Sequence, residues 1–166
     1  MKLISLLPLP ALAGLSTAHF LLYYPPTLGF NDDNEGIGPC GGFPVVFNSS
    51  DVQVQAGGFP IVLKSTHPEA DWLFRATLSH SEPFNWTNLL PVVHETGLGD
   101  FCIPDFKVPA EFVGHSGLLQ IMESAVDGVL YQVDGIPESD PVAELPKLTL
   151  LLSLIVRRCQ LYRRDE

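Results

Sequence analysis

Five histidines and three cysteines are the residues best equipped to bind or transform something in this 166-residue chain. His19 stands out among them because of what precedes it. Met1 to Ala18 reads as a secretory signal, with Lys2 as a positive start, an apolar run from Leu3 to Leu15, and small Ser16-Thr17-Ala18 before the cut. Cleavage there leaves His19 as the first residue, with a free α-amino group. Its amine and imidazole can together chelate one metal ion, and a second imidazole completes a T-shaped, all-nitrogen site, a histidine brace, suited to Cu(II). His67 is the candidate second ligand. It lies in Ser65-Thr66-His67-Pro68, just after the predicted strand Ile61 to Lys64, and Pro68 fixes the chain there so that the ring can face a strand starting at His19. His80, after the next predicted strand, is the rival. His94 and His115 fall in polar loops or strand edges and are most simply solvent-exposed. Any one of these rings, taken singly, is more often a surface or hydrogen-bonded histidine than a ligand.

Other chemistries find little support. The chain lacks a Gly-x-Ser-x-Gly nucleophile elbow and a His-Glu-x-x-His zinc motif. Pro39-Cys40-Gly41-Gly42-Phe43 is Gly-rich but has no basic partner for a phosphate. Asn31, Asp32, Asp33 and Glu35 lack the alternate-residue spacing of a calcium loop. No two carboxylates can be placed across a cleft from the sequence, so a glycosidase is not indicated. Trp72 and Trp86 suit either sugar stacking or a β-sandwich core, and the core is the ordinary use.

The elements that must position His19 and His67 are short strands. No stretch from His19 to Thr149 sustains a 3.6-residue apolar period, and Gly and Pro punctuate the chain throughout. Strands are predicted at Phe20 to Tyr24, Val52 to Gln55, Phe59 to Lys64, Trp72 to Ser79, Val92 to Glu95, Gly99 to Ile103, Gly117 to Glu123 and Val129 to Gln132. Asp127-Gly128 marks a tight hairpin between the last two. The fold class is all-β, with two antiparallel sheets in a sandwich. Gly29 to Phe43 is too polar and Gly-rich for a strand and forms a long loop. With the signal removed, the length suits one domain, which we place at residues 19–132.

Nine basic against 19 acidic residues give a formal net charge of −10, which excludes nucleic acid as a partner. In an oxidising compartment, two of Cys40, Cys102 and Cys159 should pair, and Cys40 with Cys102 is favoured because Cys159 lies in an odd tail. Asn48 and Asn85 head glycosylation sequons, in keeping with a secretory route. Residues 133–166 break the style of the domain, passing through an acidic stretch and a nine-residue apolar run to a basic end. The run is too short to span a bilayer as a helix. The break suggests a gene-model error such as a retained intron or shifted frame.

His19-Phe20, Tyr24-Pro25, Gly29-Phe30, Asp32-Asp33 and Pro39-Cys40-Gly41-Gly42-Phe43 form a series of spaced blocks. Ser65-Thr66-His67-Pro68, Gly99 to Pro104 and Leu130-Tyr131-Gln132 continue it. Together these resemble the fungal copper acquisition factors, which look like lytic polysaccharide monooxygenases. The resemblance implies an immunoglobulin-like β-sandwich holding Cu(II) at the amine and imidazole of His19, the imidazole of His67 and a nearby aspartate. It also implies a monomeric, non-enzymatic role in copper homeostasis at the cell wall or the outer face of the plasma membrane, often with a lipid (GPI) anchor. A membrane copper transporter is then the expected partner. Two alternatives remain: a copper monooxygenase acting on polysaccharide, and a structural wall protein without metal. The family has a cysteine after the Tyr-Gln pair and an aspartate two residues later, whereas Val133, Asp134 and Gly135 stand here. Asp134 is the nearest acid, one residue early, and would reach the metal only if the strand bulges.

Overall fold

The computed structural model describes residues 19–45 and 59–136 of the chain. Eight strands follow in chain order: β1 (Phe20–Tyr24), β2 (Phe59–Ser65), β3 (Glu69–Thr77), β4 (Thr87–Asn88), β5 (Val93–Thr96), β6 (Gly99–Phe106), β7 (Gly117–Ala125) and β8 (Gly128–Ile136). A short 3₁₀ turn at Ala110–Phe112 is the only helical element among the described residues. The predicted strand at Val52 to Gln55, the sequon at Asn48, the signal expected at residues 1–18 and residues 137–166 lie outside them.

Two antiparallel sheets form an all-β sandwich. One has the order β1-β2-β6, and the other runs β4-β3-β7-β8, with β5 sharing the β3 edge with β4. The pleat explains the inner faces. Ala70, Trp72, Phe74 and Ala76 of β3 alternate with exposed or half-buried neighbours, so one side of the strand is apolar. Central β2 is almost wholly buried, and Pro60, which has no N–H to donate, falls where the β2–β6 register shifts between Phe59 and Ile61. Aromatic rings join the sheets. Phe20 meets Trp72 edge-on at 5.2 Å, Trp72 stacks on Phe101 at 5.8 Å, and Phe74 packs on Phe106 at 5.6 Å. Trp72 thus belongs to the core.

The loop after β1 serves as a cover. Leu28 N–H donates to the Val133 carbonyl, and Tyr131 N–H donates to the Glu35 carbonyl, so the loop pairs with the edge of β8 that would otherwise stay open. Gly41 makes this close approach possible. Its φ is +62°, and a Cβ there would stand 2.6 Å from the Tyr131 carbonyl oxygen. Cys40 is carried onto the outer face of the larger sheet, in a small apolar cluster with Leu118 and Val133.

Two expectations change. Cys40 carries a free, buried thiol, so the Cys40–Cys102 disulfide does not form. Cys102 pairs with Val62 on β6 of the smaller sheet and packs on the central core. The larger sheet stands between the two sulfurs, and a disulfide needs Cα atoms within about 7 Å. Second, β8 does not stop at Gln132. It continues to Ile136, paired residue for residue with β7 from Ala125↔Gly128 to Gly117↔Ile136 without a bulge.

Candidate functional site

His19 immediately precedes β1, and the antiparallel register Phe20↔Ser65 sets it opposite Thr66. Three hydrogen bonds fix that pairing. His19 N–H donates to Thr66 Oγ1 at 2.7 Å, while the His19 carbonyl accepts from Thr66 N–H at 3.1 Å and from the Thr66 hydroxyl at 2.6 Å. His67 is the next residue, in the turn joining β2 to β3. The two histidines therefore occupy adjoining positions at one end of the sandwich. His80 follows the far end of β3, and the nine residues of that strand span about 30 Å. It is exposed there, with Nε2 3.2 Å from the Ser116 carbonyl oxygen. His94 pairs with Asp71 and Glu69 on the surface, and His115 is exposed beyond the 3₁₀ turn.

Carboxylates stand behind both rings. His19 Nδ1 lies 3.1 Å from Glu35 Oε2, and the ring of Phe30 meets the imidazole edge-on. Glu35 Oε1 accepts from Gln132 Nε2 at 2.6 Å. Gln132 itself reaches from β8 across to β1, donating to the Phe20 carbonyl at 2.5 Å and accepting from Leu22 N–H at 3.1 Å. Burial pushes the Glu35 carboxyl up to about 7, against the downward pull of its Gln132 and His19 partners.

His67 is 1% exposed and lies between two acids. On its inner side Nδ1 faces Glu123 Oε2 at 3.1 Å, and Ser65 Oγ donates to the other Glu123 oxygen at 2.6 Å. His67 Nδ1 and Glu123 Oε2 have no hydrogen-bond partner otherwise among the described residues. On the outer side Nε2 lies 2.7 Å from Asp127 Oδ1, in the two-residue loop between β7 and β8. Burial raises the Glu123 carboxyl above its ordinary value, opposed by Ser65 and His67.

Asp134 takes a different place. It shares the inner face of β8 with Gln132, pairs with Leu119, and is buried. Its charge helps raise the Tyr24 phenol, at the end of β1 away from His19. Asn85 is exposed, as a glycosylation site requires.

The spacing of the histidines was visible in the sequence, but Glu35, Glu123 and Asp127 were not singled out as part of this site. Glu123 left a signal: on β7 it falls in phase with Leu119 and Ile121, both core residues, so a carboxylate was due on a buried face. Glu35 sits in an aperiodic loop, where no pattern shows which acid turns inward. No three His, Cys, Asp or Glu side chains converge on one point among the described residues. A brace needs only two side chains besides the terminal amine. Two imidazoles at adjoining positions, one of them buried with an Nδ1 that faces only a carboxylate, suit a first-row metal held by nitrogen.

Comparison with known proteins agrees with this chemistry. Residues 17–133 match the family described as Copper acquisition factor BIM1-like. A lytic polysaccharide monooxygenase-like protein of Yarrowia lipolytica is 29% identical over 137 residues, covering 77% of this chain and 52% of that protein. An uncharacterized protein of Aspergillus fumigatus is 35% identical over 105 residues, covering 63% of this chain and 43% of its own length. The chain thus spans about half the length of these curated relatives. A family match over most of the chain, on a β-sandwich that sets two histidines side by side, makes this protein a member of the copper acquisition factor family, with a copper-related function.

Proposed function

We propose that this chain is a secreted Cu(II)-binding protein of copper acquisition or homeostasis, acting at the cell wall or the outer face of the plasma membrane. Copper is its cargo, held by the amine and imidazole of His19 and by the imidazole of His67, with the contacts of these rings to Glu35 and Asp127 giving way to the ion. The observation that carries this reading is the pairing of His19 with Thr66, which sets both imidazoles at one end of the sandwich. Cleavage after Ala18 would turn the His19 nitrogen, now an amide donor to Thr66 Oγ1, into a primary amine with a lone pair. The exposed sequon at Asn85 supports a secretory route. A membrane copper transporter is the natural recipient of the ion, and a monomer suffices to hold it.

The test compares protein starting at His19 with protein keeping Ala18. The first should bind one Cu(II) with the paramagnetic-resonance signature of an all-nitrogen equatorial set, and the second should lose most of the affinity. Equal calorimetric titrations for the two would sink the brace. Loss of binding in His67→Ala separates this reading from a structural wall protein without metal. A copper monooxygenase is the second reading, favoured by the printed name of the Yarrowia lipolytica relative. Release of oxidised sugars from polysaccharide with ascorbate would establish it.

A further inference from the structure

We propose that the Thr66 hydroxyl is a positioning group that aims the terminal amine of His19. The inference rests on the reading above, in which that amine is a copper ligand. An amine at the start of a chain turns freely about its Cα–N bond, so its lone pair has no fixed direction and ordering it weakens binding. Here one side chain restrains it. The His19 nitrogen donates to Thr66 Oγ1 at 2.7 Å, and the same hydroxyl donates to the His19 carbonyl at 2.6 Å. A carbonyl only accepts, so the hydroxyl hydrogen stays on that side and the lone pairs of Oγ1 face the nitrogen. After cleavage one N–H keeps this bond, and the amine lone pair is confined to the two remaining tetrahedral positions. Chelation together with the ring of the same residue selects between them. An N–H held by an acceptor also makes its nitrogen a stronger electron donor to a metal.

Two features separate this contact from ordinary strand pairing. The pairing does not need the side chain, because Thr66 N–H donates to the His19 carbonyl at 3.1 Å and Phe20 stays in register with Ser65. Thr66 is also exposed, so its hydroxyl adds little to the core. Nor does the neighbouring hydroxyl take over. Ser65 Oγ is committed to Glu123 and to the backbone N–H of His67, and these bonds hold the turn on which Thr66 stands. The Thr66 hydroxyl therefore has a fixed base, one residue before His67. One short segment serves both halves of the proposed site, with Thr66 orienting the amine and His67 supplying the second ring.

The experiment titrates Cu(II) alone into the chain starting at His19, as the parent and as Thr66→Val, Thr66→Ala and Thr66→Ser. Valine keeps the shape of threonine without the hydroxyl, and serine keeps the hydroxyl. Thr66→Val and Thr66→Ala should bind roughly 3- to 30-fold more weakly, and Thr66→Ser should restore the parent affinity. The circular dichroism spectrum and the metal-free melting midpoint should stay those of the parent throughout. The paramagnetic-resonance pattern of nitrogen ligands should persist as well, because no ligand is removed. In the chain that keeps Ala18, where the His19 nitrogen is an amide, Thr66→Val should leave the residual affinity unchanged. Parent-like binding by Thr66→Val, no rescue by Thr66→Ser, or an equal loss in both chain forms overturns the inference while leaving the brace standing. Failure of the parent protein itself to bind would overturn the underlying reading.

Discussion

At the scale of single residues, burial sets the chemistry. Burial, with the charge of Glu82 adding to it, pushes the Cys40 thiol up to about 11. The thiolate is the reactive form, so at neutral pH very little of it exists. Cys40 should resist alkylation by iodoacetamide in the folded protein at pH 8 and react once guanidinium is added; mass spectrometry of a quenched time course reads the difference. Fast native labelling would show that the thiol is not buried. Tyr24 gives a second test. Burial first, and the Asp134 charge second, push its phenol up to about 12. A pKa raised above the unfolded value means that its contribution to stability is full below about pH 10 and is lost as pH rises through 12. Ultraviolet titration should show one of the four tyrosines ionising late, and Asp134→Asn should bring that step down. No movement in the variant would place the Asp134 charge elsewhere.

Among the elements, the seam between β1 and β8 matters most, because these are facing edges of different sheets. Gln132 closes it with three buried hydrogen bonds, to Phe20, Leu22 and Glu35. Gln132→Leu removes the partners of a buried amide, carbonyl and carboxyl together. A cost of roughly 1–3 kcal/mol is expected, read as a lower denaturation midpoint, and an unchanged midpoint would show that the seam is not held this way. The strands themselves were largely legible. Phe20–Tyr24 matches its predicted bounds, and most others differ by a few residues, because alternation and β-branched runs report the pleat directly. The two-residue β4 was missed, since so short a pairing leaves no periodicity. The hairpin turn proved to be Val126-Asp127, with Gly128 at φ +143° opening β8, one residue from the Asp127-Gly128 signal. That offset puts Asp127 at the loop tip, where it can face His67. The site was half legible for a related reason. A histidine after a predicted strand can be found by spacing, whereas Glu35 and Glu123 become partners only through tertiary contact. The Cys40–Cys102 pairing failed because the sequence does not tell which side of a sheet a loop crosses.

For the whole molecule, the proposed cargo would be linked to the fold by mass action. The described core joins two sheets through a few large rings, and the candidate site lies where the first described strand meets the turn after β2, so on the proposed reading a metal held by His19 and His67 would clamp β1 to β2. A ligand that binds only the folded state adds RT ln(1 + [L]/Kd) to stability, about 2.7 kcal/mol at a hundredfold excess over Kd. For a domain of this size that corresponds to a rise in melting temperature on the order of 10 °C. The chain starting at His19 should show this rise with Cu(II), and the same chain with Ala18 retained should show little, because it lacks the amine. Zn(II) should stabilise less, since a nitrogen-rich, T-shaped set suits Cu(II) over Zn(II). Equal rises for both chains would mean that the metal binds at the acidic surface, where a net charge of −10 attracts any divalent cation, and not at the terminus. Repeating the melt in high salt separates the two, because screening weakens diffuse attraction far more than coordination by a paired amine and imidazole.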